Sequence, residues 1–426
     1  MFKNAFRSVG AMTRSTNKPL PLSGVLVLDL SRVLAGPLAA QMLSDLGAEV
    51  IKIERPETGD DSRAYGPPFI GGDAGAAAGE SGFFASCNRG KKSLTVDLAS
   101  REGQEIVRRI AAKADVLIEN FRVGTLAKYG LDYASLKEIN PKLVYCSITG
   151  YGQTGPKRFA PGYDAIFQAQ CGLMSMTGIP DGMPGAGPMK AGPSLVDILT
   201  SQYATTAILG ALYHRDQGGG RGQHIDMALM DCGVAAMTHY TQQYLVSGVK
   251  PPRRGTAGNG GVPSQMFQGA DGKYVMLTVG NNTQWKRFCD VLAREDLITD
   301  PRFNTGPNRI INRDALIPIL SDVFLRRPAE QWLTELDAAD IPCGPINDLD
   351  DVFADEQVKH RGLKVSVPHA LVGQVELLTN PIRYSETPID SAVPNPLLGE
   401  HTRELLRELL DLEDDAIDRL AAEKVI

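Results

Sequence analysis

The sequence predicts an α/β fold with a parallel sheet and helices on both faces, because short apolar runs alternate with amphipathic segments in its first 150 residues. The runs typical of buried strands lie at 25–30, 49–54, 93–98, 116–119 and 143–148. The helical patterns lie at 38–46, 102–114 and 125–139. Ligands of such sheets bind where the strands end, so we expect the functional site in the turns after Leu30, Glu54, Glu119 and Ile148.

One long stretch of this region lacks both patterns. Residues 56–82 are rich in Gly, Pro, Ala and Asp and predict a long loop. A loop of this length inside a compact domain is more often functional than idle.

Composition excludes several classes of protein. The chain has 426 residues, enough for two or three domains. Its net charge of -6 gives no global basic field for nucleic acid, and no apolar run reaches the ~18 residues of a membrane span. Its six cysteines and six histidines are scattered without metal-ligand spacing, so we predict no metal.

The first 21 residues differ from the rest. Lys3, Arg7, Arg14 and Lys18 occur there among Ser and Thr, and no acidic residue precedes Asp29. This composition predicts a mitochondrial transit peptide or a disordered tail. We therefore expect the mitochondrial matrix, with the cytoplasm as the alternative.

Asp197 is the most informative single residue. It stands among Leu195, Val196, Ile198 and Leu199, where a long helical pattern begins. Burying a carboxylate among aliphatic side chains is costly unless something stabilises it. The free N–H groups of the helix start would keep it ionised and poorly solvated, which suits a nucleophile. The alternative is an acidic residue that merely caps the helix.

Several cations and one aromatic side chain follow the predicted strands and suit a ligand with several phosphates. These residues are Arg55, the cluster Arg89, Lys91 and Lys92, the run Asn120-Phe121-Arg122, and Lys128. Each also has an ordinary interpretation, as a surface arginine, a solvated hairpin or a core phenylalanine. The G-x-G-x-x-G match at 150–155 is followed at once by Pro156, so it predicts a loop and not a dinucleotide site. No phosphate loop of the G-x-x-x-x-G-K-[ST] type occurs, so coenzyme A fits better than ATP.

The second half contains two Gly-rich breaks, at 214–224 and 250–263. Within the second, Gly258 to Gly261 predict either a mobile loop of backbone donors or a simple linker. A smaller α+β unit follows, with a strand at 274–279 and helices at 284–293 and 329–339. A further amphipathic helix is predicted at 402–410.

From Leu22 to Ile426 the chain resembles the class III CoA-transferases, the family of formyl-CoA transferase and the carnitine and bile-acid CoA-transferases. The motifs that carry the resemblance are LDLSRVLAGP (28–37), LGAEVIKIE (46–54), NRGKKS (88–93), ENF (119–121), IPCGP (341–345) and LGEHT (398–402).

The resemblance implies a catalytic aspartate at Asp197 and a mobile glycine loop with Gly258, Gly260 and Gly261. It implies CoA contacts at Leu34, Ala35, Arg55, Val96, Asn120, Phe121, Lys128, Tyr163 and Asp164. It further implies an interlocked homodimer with a Rossmann-like large domain built from both chain ends. The expected organisation is an N-terminal segment (1–21), a large domain (22–225), a linker (226–255), a small α+β domain (256–345) and a return segment (346–426).

The implied chemistry is exchange of CoA between acids through mixed anhydrides and an aspartyl-CoA thioester, with no cofactor besides the CoA thioester substrate. Some members have glutamine where Leu34 stands, so that polar group is absent here. A sister branch racemises 2-methylacyl-CoA thioesters with a histidine before the aspartate that matches Asp164. Tyr163 occupies that position, and a tyrosine of ordinary pKa is a poor base. The racemase and a catalytically inactive CoA-binding protein remain the alternatives.

Within the family, several segments most resemble the mitochondrial succinyl-CoA:glutarate CoA-transferases: GDDSR (59–63), YGPPF (65–69), YCSITGYGQTGP (145–156), GNN (280–282) and NPIRYS (380–385). This implies succinyl-CoA as donor and glutarate, itaconate or 3-hydroxy-3-methylglutarate as acceptor. Oxalate, formate, citramalate and carnitine remain possible acceptors. Candidates for binding a second carboxylate are Arg63, Arg253, Arg254, Asn281 and Asn282.

Overall fold

The computed structural model describes residues 19–258, 260–389 and 392–426. The chain divides into two compact units. The larger unit contains the described residues of Met1–Leu173 together with Ala191–Val246 and Arg361–Ile426, and the smaller unit contains Met174–Lys190 and Ser247–His360. The predicted N-terminal transit segment lies almost wholly outside the described residues.

The strands, β1 to β13 in chain order, are Leu26–Asp29, Glu49–Glu54, Lys92–Thr95, Val116–Glu119, Val144–Thr149, Gly178–Ile179, Gly187–Pro188, His224–Ala228, Ser264–Gln268, Tyr274–Thr278, Cys343–Pro345, Lys364–His369 and Gly373–Leu378. The α-helices, α1 to α19, are Ala35–Asp45, Asp73–Ala78, Gly82–Cys87, Arg101–Ala111, Tyr133–Ile139, Asp164–Gln170, Leu173–Met176, Leu195–His214, Leu229–Ala236, Thr238–Ser247, Asn282–Val291, Asp296–Thr299, Gly306–Ile311, Arg313–Phe324, Ala329–Ala338, Leu349–Ala354, Glu356–His360, Thr402–Leu410 and Asp414–Ala422.

The larger unit is built on a six-stranded sheet in the order β3-β2-β1-β4-β5-β8, in which all neighbours are parallel. Leu28 in the middle of β1 pairs with Ile51 on one side and with Leu117 on the other. The strand order reverses between β1 and β4, and such a switch point opens a crevice at the carboxyl ends of the strands. The turns after Asp29 and Glu119 therefore border that crevice.

Each face of this sheet is covered by helices. On one face, α4 packs with α18 and α19 from the chain's end, and on the other, α1 packs with α8. Of the described residues, one helical stretch, Leu195–Gly219, is long and apolar enough to cross a membrane by length and composition. Part of its apolar surface, including Ala204 and Ile208, is buried against α1 and the sheet, as in a core helix.

The smaller unit has its own core and its own antiparallel sheet, in the order β11-β10-β9. Trp285 and Trp332 are almost fully buried in that core. The chain enters this unit twice, because residues 174–190 belong to it as well as Ser247–His360.

Two predicted elements are wrong. The predicted loop 56–82 contains a 3-10 turn at Asp61–Ala64 and helix α2, and α3 begins at its end. The predicted helix 125–139 is two pieces, a 3-10 turn at Leu126–Tyr129 and α5, because Gly130 between them has a left-handed φ of 63°.

The domain boundaries also differ from those expected. The expected linker 226–255 holds most of β8 and the helices α9 and α10, and its residues 226–246 belong to the larger unit. Residues 346–360, expected in the return segment, belong to the smaller unit.

A buried ion network lies under the turn after β1. The Lys52 ammonium is 2.8 Å from the Asp60 carboxylate, 4.0 Å from that of Asp29 and 2.8 Å from the carbonyl oxygen of Ser31. Lys91 donates to Asp29 at 2.8 Å. Burial alone would lower the pKa of Lys52, but the two carboxylates raise it above its usual range. Burial lowers the pKa of Lys91, an effect that its contact with Asp29 opposes. The contacts among these four groups hold β1, β2 and the chain before β3 together.

This network corrects the interpretation of the basic cluster at 89–92 as a solvated hairpin or phosphate site. Lys91 is paired with Asp29, and Arg89 is buried against Asp45 at 2.6 Å. Lys92 is half-buried and pairs with Glu49 and Glu404. These three cations stabilise the fold.

Replacing Lys52 with methionine should strongly destabilise the protein. It leaves the carboxylates of Asp60 and Asp29 buried with fewer cations, and breaking a buried pair costs about 3–5 kcal/mol. Urea unfolding followed by circular dichroism measures the loss. Lys424→Met is the matched control, because Lys424 pairs with Glu57 at an exposed site and its loss should leave the midpoint unchanged. Equal effects of the two variants would contradict the importance of the network.

Candidate active site

A cavity of about 290 Å³ opens at the switch point between β1 and β4. Its walls come from the turn after β1, the turn after β4, the loop before α6 and the first turn of α8. It brings together eight of the residues predicted from the sequence: Leu34, Ala35, Asn120, Phe121, Arg122, Tyr163, Asp164 and Asp197.

The turn after β1 is held in an unusual conformation. Val33 has a φ of 72°, which is strained for a β-branched residue. Its N–H donates to Asp60 at 3.1 Å, and its carbonyl oxygen lies 3.4 Å from the Cys87 thiol. The amide of Asn120 bonds to both backbone groups of Arg32, at 2.9 and 2.7 Å. Asn120 therefore links the turn after β4 to the turn after β1. These contacts fix the shape of the cavity wall at this point.

Asp197 is the third residue of α8 and lies half-buried on the cavity wall. The residue at the N-cap position, Ser194, makes no side-chain cap. Asp164 caps the helix instead, since its Oδ1 accepts from the N–H of Val196 at 2.8 Å and of Asp197 at 3.3 Å. The interpretation of Asp197 as the capping residue is therefore wrong.

The electrostatics of Asp197 also differ from expectation. Among residues 19–258, 260–389 and 392–426, no group donates a hydrogen bond to its carboxylate. Burial, and secondarily the charge of Asp164, raise its pKa to about 7. The expectation that the helix start keeps Asp197 firmly ionised is wrong, because Asp164 accepts from the backbone donors that would have done so. The result is a carboxylate that is unusually basic.

A second cavity, of about 220 Å³, lies beside the first and contains the predicted residues Arg55, Val96 and Phe121. Phe121 lines both cavities, and the Arg32 guanidinium lies 5.0 Å from the centre of its ring. Arg55 is about half exposed and pairs with Asp61. The two cavities together form an elongated site along the ends of β2, β1 and β4.

Lys128 and the three glycines are not among the residues that line the two cavities. Lys128 is exposed in the 3-10 turn and lines neither cavity. Gly258, Gly260 and Gly261 belong to the smaller unit, where the N–H of Gly258 donates to the carbonyl of Ser264 at 2.9 Å.

Sequence reasoning missed several polar residues that line the first cavity: Arg32, Asp61, Tyr65 and Arg158. The signal for Arg32 was its position directly after a predicted strand. Arg158 follows the loop at 150–155, and the G-x-G-x-x-G pattern of that loop carries no signal for the arginine.

Of the five candidates for a second carboxylate, four have other partners. Arg63 is buried between Glu54 and Glu80, and Arg253 pairs with Asp181. Asn281 caps α11, and Asn282 accepts from Arg309 at 3.1 Å. Arg254 has a buried Nε without a partner in the described residues. Arg254 is therefore the remaining candidate for binding a second carboxylate of the substrate.

No group of three His, Cys, Asp or Glu side chains in the described residues has the arrangement of a metal site. The expectation that the reaction needs no cofactor stays a prediction.

Comparison with known proteins identifies the class. The model of CoA-transferase family III matches residues 22–402, and the chain belongs to this family. It is 44% identical to the succinate–glutarate CoA-transferase of Agrobacterium fabrum, over 95% of this chain and 100% of the relative. It is 41% identical to the succinyl-CoA:glutarate CoA-transferase of Homo sapiens, over 96% of this chain and 91% of the relative.

A solved structure agrees with this assignment. The crystal structure of a CAIB/BAIF family protein from Brucella suis superimposes with a TM-score of 0.81 at 43% identity, covering 92% of this chain and 100% of the other. The resemblance inferred from the motifs is confirmed, and the chain is an enzyme that transfers CoA.

The pKa of Asp197 predicts a stability effect. Its folded-state pKa of about 7 exceeds the ordinary value of 3.8, so the folded state holds the proton more tightly. The free energy of unfolding therefore falls as pH rises from about 4 to about 7. Asparagine does not ionise, so the Asp197→Asn variant does not lose stability in this way. Its free energy of unfolding should exceed that of the wild type by roughly 1–3 kcal/mol at pH 8.

The measurement is urea unfolding of both proteins at pH 5 and pH 8. The advantage of Asp197→Asn should be small at pH 5 and full at pH 8. An advantage that does not grow between these pH values would show that the pKa of Asp197 is not raised.

Proposed function

We propose that the enzyme transfers CoA from succinyl-CoA to glutarate or a similar dicarboxylate, with Asp197 as the nucleophile. The observation that carries the proposal is the Asp197 carboxylate on the wall of the crevice, basic and without hydrogen-bond donors among the described residues. The names of the relatives from Agrobacterium fabrum and Homo sapiens support the choice of donor and acceptor. Itaconate and 3-hydroxy-3-methylglutarate are the alternative acceptors to test.

The first half of the reaction loads CoA onto the enzyme. An Oδ of Asp197 attacks the thioester carbonyl of succinyl-CoA, the C–S bond breaks, and CoA leaves as a thiolate. The thiolate then attacks Cγ of Asp197, which releases succinate and leaves an aspartyl-CoA thioester.

The second half runs the same steps toward the acceptor. The acceptor carboxylate attacks Cγ of Asp197 and expels the CoA thiolate, which forms a new mixed anhydride. The thiolate attacks the acceptor's acyl carbon, and Asp197 leaves as a free carboxylate. Each step exchanges one acyl bond for another, so the scheme balances with the substrates alone.

The raised pKa of Asp197 fits this role. A carboxylate of ordinary pKa is a weak nucleophile, and desolvation makes it more basic and more reactive. Near pH 7 about half of the Asp197 side chains are ionised in the free enzyme, since the pKa is about 7.

We assign the two cavities to different parts of CoA. The cavity at Asp197, with Leu34, Ala35 and Tyr163, would hold the thioester end. The cavity at Arg55 and Val96 would hold the nucleotide end, because it offers an apolar floor and an exposed cation. Phe121 would contact the ligand in both.

Lys128 and Asp164 keep the CoA-binding roles proposed for them from the family resemblance, and Gly258, Gly260 and Gly261 keep the proposed role of a mobile glycine loop. The geometry gives Asp164 a contact with the first cavity, but its carboxylate is already used at the start of α8.

Purified enzyme mixed with succinyl-CoA and a panel of free acids should form the thioester of a dicarboxylate, detected by mass spectrometry. Asp197→Asn should lower the rate by at least about 10³-fold, because amides do not attack thioesters at a useful rate. Asp61→Asn removes another carboxylate from the same cavity and serves as the matched comparison, with a smaller expected loss.

Failure of every dicarboxylate on the panel, with transfer to a monocarboxylic acid instead, would contradict the proposed acceptor. Full activity of Asp197→Asn would contradict the proposed nucleophile.

The rate should depend on pH through Asp197. The ionised form attacks, so kcat/KM should fall about tenfold per pH unit below a pKa near 7. Initial rates with saturating acceptor from pH 5.5 to 9 test this. A rate that stays flat down to pH 5.5 would mean that the Asp197 carboxylate is ionised at an ordinary pKa.

We also propose that the enzyme is an interlocked homodimer, as the family resemblance implies. The exposed apolar surface of α10 supports an interface, since no residue of this helix is buried and Val246 is 79% exposed. Light scattering after gel filtration should give twice the mass of one chain. A monomer at micromolar concentration would contradict the proposal.

Location in the mitochondrial matrix remains a proposal from the basic N-terminal segment. A relative is bacterial and another is human, so their names alone do not decide it. A fluorescent fusion with and without residues 1–21 separates the matrix from the cytoplasm.

A further inference from the structure

Gln168 lies one helical turn after Asp164 on α6 and holds its carboxylate in place. Its Nε2 donates to Asp164 Oδ2 at 2.6 Å and to the carbonyl oxygen of Pro193 at 3.1 Å. Its Oε1 accepts from the N–H of Ala191 at 2.9 Å. Gln168 is fully buried and Asp164 is 6% exposed. One amide therefore ties both the capping carboxylate and the chain that enters α8 to the same helix.

Asp164 in turn fixes the backbone at the start of α8. Its Oδ1 accepts the N–H groups of Val196 and Asp197, so the backbone of the nucleophile is fixed to a side chain of α6. These N–H groups are then unavailable to the Asp197 carboxylate. The negative charge of Asp164 also lies close enough to oppose ionisation of Asp197.

The hydroxyl of Ser201 provides a second anchor for this part of α8. It lies 2.8 Å from the carbonyl oxygen of Ala35, at the start of α1. The first turns of α8 are thus held from two sides, by α6 and by α1, and the position of Asp197 relative to the cavity is fixed by both.

We propose that Asp164 and Gln168 are positioning residues of the transfer reaction, which fix the backbone of Asp197 and keep its carboxylate beside a like charge and without donors. This inference rests on the proposed function, because it takes Asp197 as the nucleophile. A carboxylate so placed is more reactive than one stabilised by the helix start.

Other ionisable groups surround Asp197. Those that line its cavity from other elements are Arg32, Asp61, Tyr65, Arg122, Arg158 and Tyr163. Those on the elements packed against α8, apart from Asp164, are Asp45 on α1, Asp231 and Cys232 on α9, Tyr145 and Cys146 on β5, His224 and Asp226 on β8, and Arg215 and Asp216 in the helical turn 215–219. Of all these groups, Asp164 is the one whose charge shifts the pKa of Asp197.

The test is the pH profile of Asp164→Asn. Asparagine keeps an oxygen that accepts from Val196 but removes the charge, so the acid limb of kcat/KM should move to lower pH by about 0.5–1.5 units. Because the nucleophile is then less basic, kcat at pH 8 should fall roughly tenfold. Asp164→Glu restores the charge and should restore the wild-type position of the acid limb. Glu138→Gln, at an exposed carboxylate on α5, should leave both parameters unchanged.

An Asp164→Asn enzyme that folds and has the wild-type acid limb overturns the proposal. If Asp164→Asn does not fold, Gln168→Met carries the test, because it removes all three Gln168 hydrogen bonds at nearly constant volume. It should lower kcat with the KM for succinyl-CoA within about twofold, and an unchanged kcat overturns the proposal. If the wild type itself transfers CoA to no acid, the proposed function has failed, which is a separate outcome.

Discussion

The contact between the Asp164 carboxylate and the first turn of α8 decides the character of the site. An α-helix begins with free N–H groups, and here a side chain of the neighbouring helix α6 accepts two of them. Asp197 in that turn is left half-buried, without donors among the described residues and near a like charge, so its pKa rises to about 7. An aspartate whose carboxylate accepted from the N–H groups of the helix start would instead have its ionised form stabilised.

The opposite wall of the cavity depends on buried charge. Lys52 pairs with Asp60 and Lys91 pairs with Asp29 under the turn after β1, and Asp60 also accepts the N–H of Val33. A left-handed valine costs on the order of 1–3 kcal/mol and persists only where its surroundings enforce it. The network thus supports the turn 31–34, whose residues 32–34 line the same cavity as Asp197. The cations that resembled a phosphate site in the sequence serve this turn instead.

Much of the fold follows from the sequence because the strands of a parallel sheet are short, apolar and separated by amphipathic helices. β2, β4 and α18 begin and end where the pattern predicts. The structure of the segment 56–82 was not predictable, since its helix α2 is only six residues long and rich in Gly and Ala, and such a short helix depends on tertiary packing. No local signal in the sequence shows that the chain passes into the smaller unit twice.

In the candidate site, too, some features follow from the sequence and others depend on contacts made only in the folded protein. Position after a strand singles out Asn120 and Phe121, and apolar neighbours single out Asp197, and all three line the first cavity. The pKa of Asp197 could not be predicted, because Asp164 lies 33 residues earlier in the chain and only the fold brings it to α8. The burial and ion pairing of Arg89 and Lys91 could not be predicted for the same reason, because their partners Asp45 and Asp29 are distant in sequence.

The most direct test of the account is to find the covalent intermediate. Enzyme mixed with succinyl-CoA without any acceptor, then quenched in acid, should gain the mass of CoA less one water, and peptide mapping should place the CoA on Asp197. An adduct on another residue, or none in an enzyme that exchanges CoA between acids, would contradict Asp197 as the nucleophile.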